Sequence, residues 1–159
     1  SKNGIHESNL KKLISSNNLT GRVILLGSVD SKRIPQYMID SKILVLPRPD
    51  SIQARGGFPT KLGEYLASGK PVIVTRVGEI PKLLSYKEVF FISPDNIVNE
   101  LADKINLILS DYEAALYVGH RGEKIARKMF DIKANQILLK NGIERVFNPN
   151  RSSLWKVIQ

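Results

Sequence analysis

Between Gly56 and Pro71 the chain reads Gly-Gly-Phe-Pro-Thr-Lys-Leu-Gly-Glu-Tyr-Leu-Ala-Ser-Gly-Lys-Pro. Gly56 and Gly57 let a backbone come close to a ligand with no Cβ in the way. Pro59 fixes φ ahead of a helix that starts at Thr60, where Thr60 can cap the helix or lend its hydroxyl. The free amides of the first turn and the positive end of the helix dipole make a site for an anion. Lys61 adds a mobile positive charge. One turn on, Glu64 lies on the same helical face as Thr60 and Lys61. A carboxylate there accepts hydrogen bonds from two neighbouring hydroxyls, such as those of a ribose. The spacing suits a nucleoside diphosphate. It equally suits an ordinary helix entry in which Glu64 only pairs with Lys61 three residues back.

The elements that must hold this segment alternate between strand and helix. Apolar residues at Leu10, Leu13 and Ile14 line one face of a helix over residues 7–17. Arg22 to Gly27 is an almost wholly apolar run, expected as a strand buried on both faces. Asp30 or Ser31 caps a short helix that ends near Ser41. Ile43 to Leu46 is a second strand stopped by Pro47, and a polar loop with Arg48, Pro49 and Asp50 follows. Thr60 to Ser68 is a helix closed by Gly69. Strands are expected at 71–75 and 88–92, with a short helix at 79–84 between them. Helices follow over about 95–109, 112–130 and 132–147. Strand–helix–strand order with short connections implies a parallel sheet covered on both faces. Ligands of such sheets bind outside the carboxyl ends of the strands. That places interest on the loops after Leu46 and Thr75 and on the turn after Gly27.

The chain has 159 residues, enough for one domain with a single sizeable core, and no run of about 20 apolar residues that would span a bilayer. It has no cysteine, so disulfides and thiolate metal sites are excluded. His6 and His120, the only histidines, lack metal-ligand spacing and read as surface residues. The net charge of +9 is spread in small groups such as Lys11–Lys12 and Arg121–Lys124–Arg127–Lys128. No block of five like charges marks a nucleic-acid tail, so no nucleic-acid partner is expected. The basic bias fits peripheral contact with an anionic membrane surface, and the default location is cytoplasmic. Asp30, Asp50 and Glu79 read as capping and turn carboxylates. Trp155 reads as a core or docking anchor.

The run GFPTKLGEYLASGKPVIVTRVGEIPKLL, from Gly57 to Leu84, resembles the donor-site signature of the retaining GT-B glycosyltransferases of family 4. RVILLGSV and IPQYMIDSKILVLP upstream are similar to that family's approach to the site. The resemblance implies a Rossmann-like parallel sheet with helices on both faces, the C-terminal domain of a GT-B fold, incomplete here. It implies one donor-binding domain over residues 1–159, of which 132–159 is a C-terminal helical segment. The partner acceptor domain, which would lie N-terminal, is absent. Glu64 then holds the donor ribose, Thr60 and Lys61 meet the diphosphate, and Gly57 and Phe58 face the transferred sugar. Gly27 and Ser28 lie beside base or phosphates, and the stretch Leu46 to Pro49, with Pro47 and Arg48, borders the nucleobase and ribose. The implied substrate is a nucleoside diphosphate-sugar, with no cofactor or metal required. The implied acceptor is a cell-envelope or lipid-linked glycan at the inner face of a bacterial membrane. The alternative is a non-catalytic nucleotide-sugar-binding module. One departure supports it: the family often has a second glutamate eight positions before the ribose glutamate, where this chain has Gly56.

Overall fold

A computed structural model describes residues 2–147. Trp155, expected as a docking anchor, lies outside them. The chain divides into two compact units, the first ending at Ile34 and the second beginning at Pro35.

The first unit holds α1 (Lys2–Ser16), a turn closed by Leu19 N–H to the Ile14 carbonyl, and a 3-10 turn at Ser31–Arg33. Asp30 caps that turn, its carboxylate accepting from Lys32 N–H at 3.0 Å, as its position suggested. The strand expected at 22–27 is not formed. Arg22 and Val23 N–H both donate to the Leu19 carbonyl, and the run's one bridge joins Thr20 to Val23. A buried parallel strand needs a neighbour on its backbone and cover on its faces. Within its unit this run has neither, and Ile24 is 73% and Leu26 53% exposed.

The second unit contains α2 (Ile34–Asp40, entered from the first unit), β1 (Leu44–Leu46), α3 (Ile52–Arg55), α4 (Thr60–Ala67), β2 (Val72–Thr75), α5 (Ile80–Leu83) and β3 (Phe90–Ile92). It ends with α6 (Ile97–Ser110), α7 (Tyr112–Met129) and α8 (Ile132–Phe147). The three strands form a parallel sheet in the order β1-β2-β3, with Val45 opposite Ile73 and Val74 opposite Phe91. Every residue of β2 is buried, which is why its sequence is a continuous β-branched run rather than an alternating one. Val72 and Val74 point into one core with Leu62, Leu66, Ile80 and Phe91. Ile73 points the other way, into a second core with Ile92, Ile108 and Ala115, on which α6 packs. The sheet is therefore covered on both faces, as its sequence pattern predicts.

Helix α7 reaches both cores through small residues, the second at Ala115 and the first at Ala126. Ala115, Gly119, Gly122 and Ala126 recur at helical spacing and are all buried. A Cβ on Gly119 would overlap the Gly69 and Lys70 backbone, and one on Gly122 would come to 2.8 Å from Leu66 Cδ2 and 2.9 Å from the Glu88 carbonyl oxygen. The helix thus lies directly on the end of α4 and the entry to β2. Gly69 itself has φ +70, the left-handed conformation that ends α4.

Candidate functional site

Helix α4 lies between β1 and β2 in a parallel crossover, so its N-terminus faces the carboxyl ends of the strands. Its cap position is Pro59, extended at φ −73 and ψ 119, with no side-chain cap. Thr60 is the first helical residue and does not cap. The expectation of a Thr60 cap is therefore corrected: the preceding proline takes the cap position and has no side-chain acceptor to offer. Leu62 N–H bonds back to the Pro59 carbonyl at 2.9 Å. The amides of the first turn thus have no side-chain acceptor and keep their attraction for an anion.

Thr60, Lys61 and Glu64 are exposed. Lys61 and Glu64 form no ion pair with each other, and neither has an ion pair or side-chain hydrogen bond among the described residues. Of the two readings left open by the spacing, the internal Lys61–Glu64 pair is not what the structure contains. Glu64 is instead an unengaged carboxylate one turn below an uncapped helix start.

The other face of α4 is anchored. Phe58 is half-buried, stacks at 5.6 Å on the Phe130 ring and joins the first core. A Cβ on Gly63 would come to 3.2 Å from that same ring. The Phe58 side chain thus faces inward, and only its backbone remains for a ligand. Gly57 has open space where a Cβ would stand.

Pro47 and Arg48 follow β1 directly. Arg48 N–H donates to Thr75 Oγ1 at 2.8 Å, tying the exit of β1 to the last residue of β2. Thr75 is fully buried, and sequence reasoning passed over it because a threonine at the end of a β-branched run reads as one more strand residue. Helix α3 was also missed. It is four residues long, opened by Ser51 Oγ accepting from Ala54 N–H at 3.1 Å, and closes its turn at Gly56. Ser51 three residues before Ala54 was the available signal.

Asp50, the loop's remaining carboxylate, is held by Arg55: Nε to Oδ1 at 2.7 Å and Nη2 to Oδ2 at 2.6 Å. The hydrogen bonds from Arg55 hold the Asp50 carboxyl below its ordinary range, partial burial opposes this, and the guanidinium charge adds to it. Both oxygens of Asp50 are thus engaged, in keeping with its reading as a turn carboxylate. Glu79 is likewise engaged, with Lys82 at 2.9 Å.

Of the residues singled out in the sequence, the second unit brings Pro47, Arg48, Gly57, Phe58, Thr60, Lys61 and Glu64 to the carboxyl end of one sheet. Gly27 and Ser28 belong to the first unit. Gly27 has φ +64, the conformation a tight turn requires, and Ser28 is exposed. The expected strand ahead of that turn is absent, so the turn is not a strand-end turn within its unit.

These features place the chain among α/β domains whose ligands meet the carboxyl ends of parallel strands. Residues 3–125 match the model of the glycosyl transferases group 1, and the chain belongs to that family. It is 32% identical over 80 residues to the putative teichuronic acid biosynthesis glycosyltransferase TuaH of Bacillus subtilis, a match covering 50% of this chain and 20% of that one. It is 30% identical over 109 residues to the amylovoran biosynthesis glycosyltransferase AmsK of Erwinia amylovora, covering 68% and 26% respectively. Among solved structures, Anabaena Alr3699/HepE in complex with UDP-glucose aligns with a TM-score of 0.71 at 25% identity, over 84% of this chain and 35% of that one. The chain thus spans about a fifth to a third of the length of these relatives.

Proposed function

We propose that this chain is the donor-binding part of a retaining glycosyltransferase that moves a sugar from a nucleoside diphosphate-sugar to an acceptor. The observation that carries this reading is the uncapped start of α4, with Lys61 beside it and an unengaged Glu64 one turn on. The free amides and Lys61 take the diphosphate, and Glu64 accepts from the two ribose hydroxyls. As the sugar leaves, charge grows on the diphosphate, and donors fixed in advance on a helix end stabilise it most at that moment. Glu64 binds the donor and does not act as acid or base. The UDP-glucose complex of the Anabaena relative supports a nucleotide-sugar donor.

The relatives' names, teichuronic acid and amylovoran biosynthesis, support a cell-envelope glycan as acceptor. In this reading residues 1–159 act as one donor domain with a separate acceptor-binding domain. The work is done at the cytoplasmic face of the membrane, where a net charge of +9 favours anionic lipid. No described helix is long and apolar enough to cross that membrane.

Calorimetric titration with UDP and GDP tests the assignment. One of them binds the unaltered protein, and Glu64→Ala weakens that affinity by about tenfold or more, the loss of a charge-assisted hydrogen bond. Unchanged affinity in Glu64→Ala refutes the ribose role. A second reading, a nucleotide-sugar-binding module without turnover, is favoured by the capture of Asp50 by Arg55, which leaves the loop before Gly56 with no free carboxylate. Sugar transfer by the protein as its gene encodes it separates the two.

A further inference from the structure

Helix α7 carries an outer face that the fold does not use. Two positions after each member of its buried row, Ala115, Gly119, Gly122 and Ala126, stand Tyr117, Arg121, Lys124 and Lys128. That step is about 200° round the helix, so the second row lies on the side away from the cores. Tyr117 is 65% exposed, and Lys124 and Lys128 are exposed with no ion pair among the described residues. Arg121 lies over the Tyr117 ring at 5.9 Å and approaches Glu88 only to 3.9 Å. Glu88 is largely withdrawn from water, and its other oxygen accepts from Ser85 N–H and Oγ. The acids of α7 lie off the row: Glu113 is in the first turn, ahead of it, and Glu123 is held by Arg127 at 2.7 Å.

An open recess of about 330 Å³ lies on this face, lined by Glu88, Tyr117, Arg121, Lys124 and Ile125. Two cations beside a phenol ring and an aliphatic side chain suit a layer of lipid headgroups. The cations attract the anionic headgroups, and the amphipathic ring sits at the boundary between hydrocarbon and water. A second copy of the chain fits this face poorly, because it would set like charges against each other.

The direction of α7 relates the face to the candidate site. Gly119 lies against Gly69 at the end of α4, Gly122 against Leu66, and the Phe130 ring against Gly63 and against Phe58 just ahead of α4. Helix α7 therefore runs antiparallel to α4, and Lys128, last in the row, stands two residues from Phe130. The basic row leads along the flank of the second unit to the end where α4 starts.

We propose that the outer face of α7, from Tyr117 to Lys128, is the surface by which the protein rests on an anionic membrane. It rests on the reading above that the protein works at a membrane, and it names the part of the chain that meets the lipid. A bilayer on this face passes beside the start of α4, where an acceptor anchored in lipid would arrive.

The test is co-sedimentation of the protein as its gene encodes it with vesicles of phosphatidylcholine alone and of equimolar phosphatidylcholine and phosphatidylglycerol. The unaltered protein partitions onto the anionic vesicles only, and less as salt rises. Each basic residue at such a surface contributes about fivefold, so Lys124→Gln/Lys128→Gln weakens partitioning by about tenfold or more. Lys11→Gln/Lys12→Gln removes the same charge from α1 and leaves partitioning nearly unchanged. All four lysines are exposed, so both variants fold. Undiminished partitioning of Lys124→Gln/Lys128→Gln overturns the proposal and leaves the membrane reading standing. Equal losses in the two variants overturn it as well, because net charge then acts rather than a face. If the unaltered protein ignores anionic vesicles, the membrane reading falls and the proposal with it. A double-stranded DNA fragment bound as tightly as the vesicles, and released by the same α7 variant, overturns lipid as the partner.

Discussion

Gly78 and Ala54 meet backbone against backbone: a Cβ on Gly78 would overlap the Ala54 carbonyl oxygen. Gly78 lies just past β2 and Ala54 inside α3, so this contact pins the loop after β1 to the loop after β2. Gly78 also has φ +61, a conformation that other residues adopt at a cost. The two loops that flank the candidate site are therefore set by one another, with the Arg48–Thr75 bond as a second tie.

Gly78→Ala is expected to destabilise the fold by about 1–2 kcal/mol from the left-handed backbone alone, and further from the overlap with Ala54. Urea denaturation reads this as a lower midpoint with an unchanged slope. A midpoint equal to that of the unaltered protein would show that the two loops separate freely.

Thr75→Val removes the acceptor of the Arg48 N–H while keeping the volume. An amide left unmet in that part-buried position costs about 1–3 kcal/mol. Thr75→Ser keeps the oxygen and loses only a methyl group. Thermal denaturation should therefore rank valine below serine; the reverse order would assign the role of Thr75 to packing alone.

Gly119→Ala sets two effects against each other. Helix propensity favours alanine over glycine by about 1 kcal/mol inside a helix. The added Cβ, however, runs into the Gly69 and Lys70 backbone. Backbone cannot swing aside as a side chain does, and overpacking costs about 1–3 kcal/mol. Net destabilisation in a denaturant titration is the expected outcome, and a stabilised variant would mean that α7 stands off from α4.

The Asp50–Arg55 pair gives a pH dependence with a definite sign. Arg55 lowers the folded-state pKa of Asp50 below its unfolded value. Its contribution is therefore complete above the unfolded value of about 3.9 and is lost as pH falls through the folded value. The unaltered protein and Asp50→Asn should differ by a constant margin above about pH 5 and converge below about pH 4. The margin is small, because both side chains are substantially exposed and water screens them. Thermal melts of the two across that range check it, and a margin that widens as pH falls contradicts the pairing.

The second unit was largely legible in the sequence because its central strand is buried on both faces. Val72 to Thr75 has no exposed face, so an unbroken β-branched run could only be a central strand. Helix α4 was legible from Pro59 at its start and Gly69 at its end, and α6 and α7 from long amphipathic periods. The run Val23 to Leu26 carried the same signal and misled, because apolarity records a preference for burial and not whether a neighbour supplies it. What decides the site was hidden for a different reason. The engagement of Asp50 by Arg55 and of the Arg48 amide by Thr75 depends on where two loops fall in space. No spacing encodes that Glu64 is left free while Glu79 is taken by Lys82.

The glycines of α7 have one more consequence. With Gly119 seated on Gly69 and Gly122 on Leu66, the trailing end of α4 has no slack, and a rod of 8 residues carries any displacement there to its leading end. The position of the leading end, where Lys61 and Glu64 stand, thus depends on contacts made at the other end of α4. In the donor-binding reading proposed above, variation at the α7 stripe alters nucleotide affinity through the seat of α4.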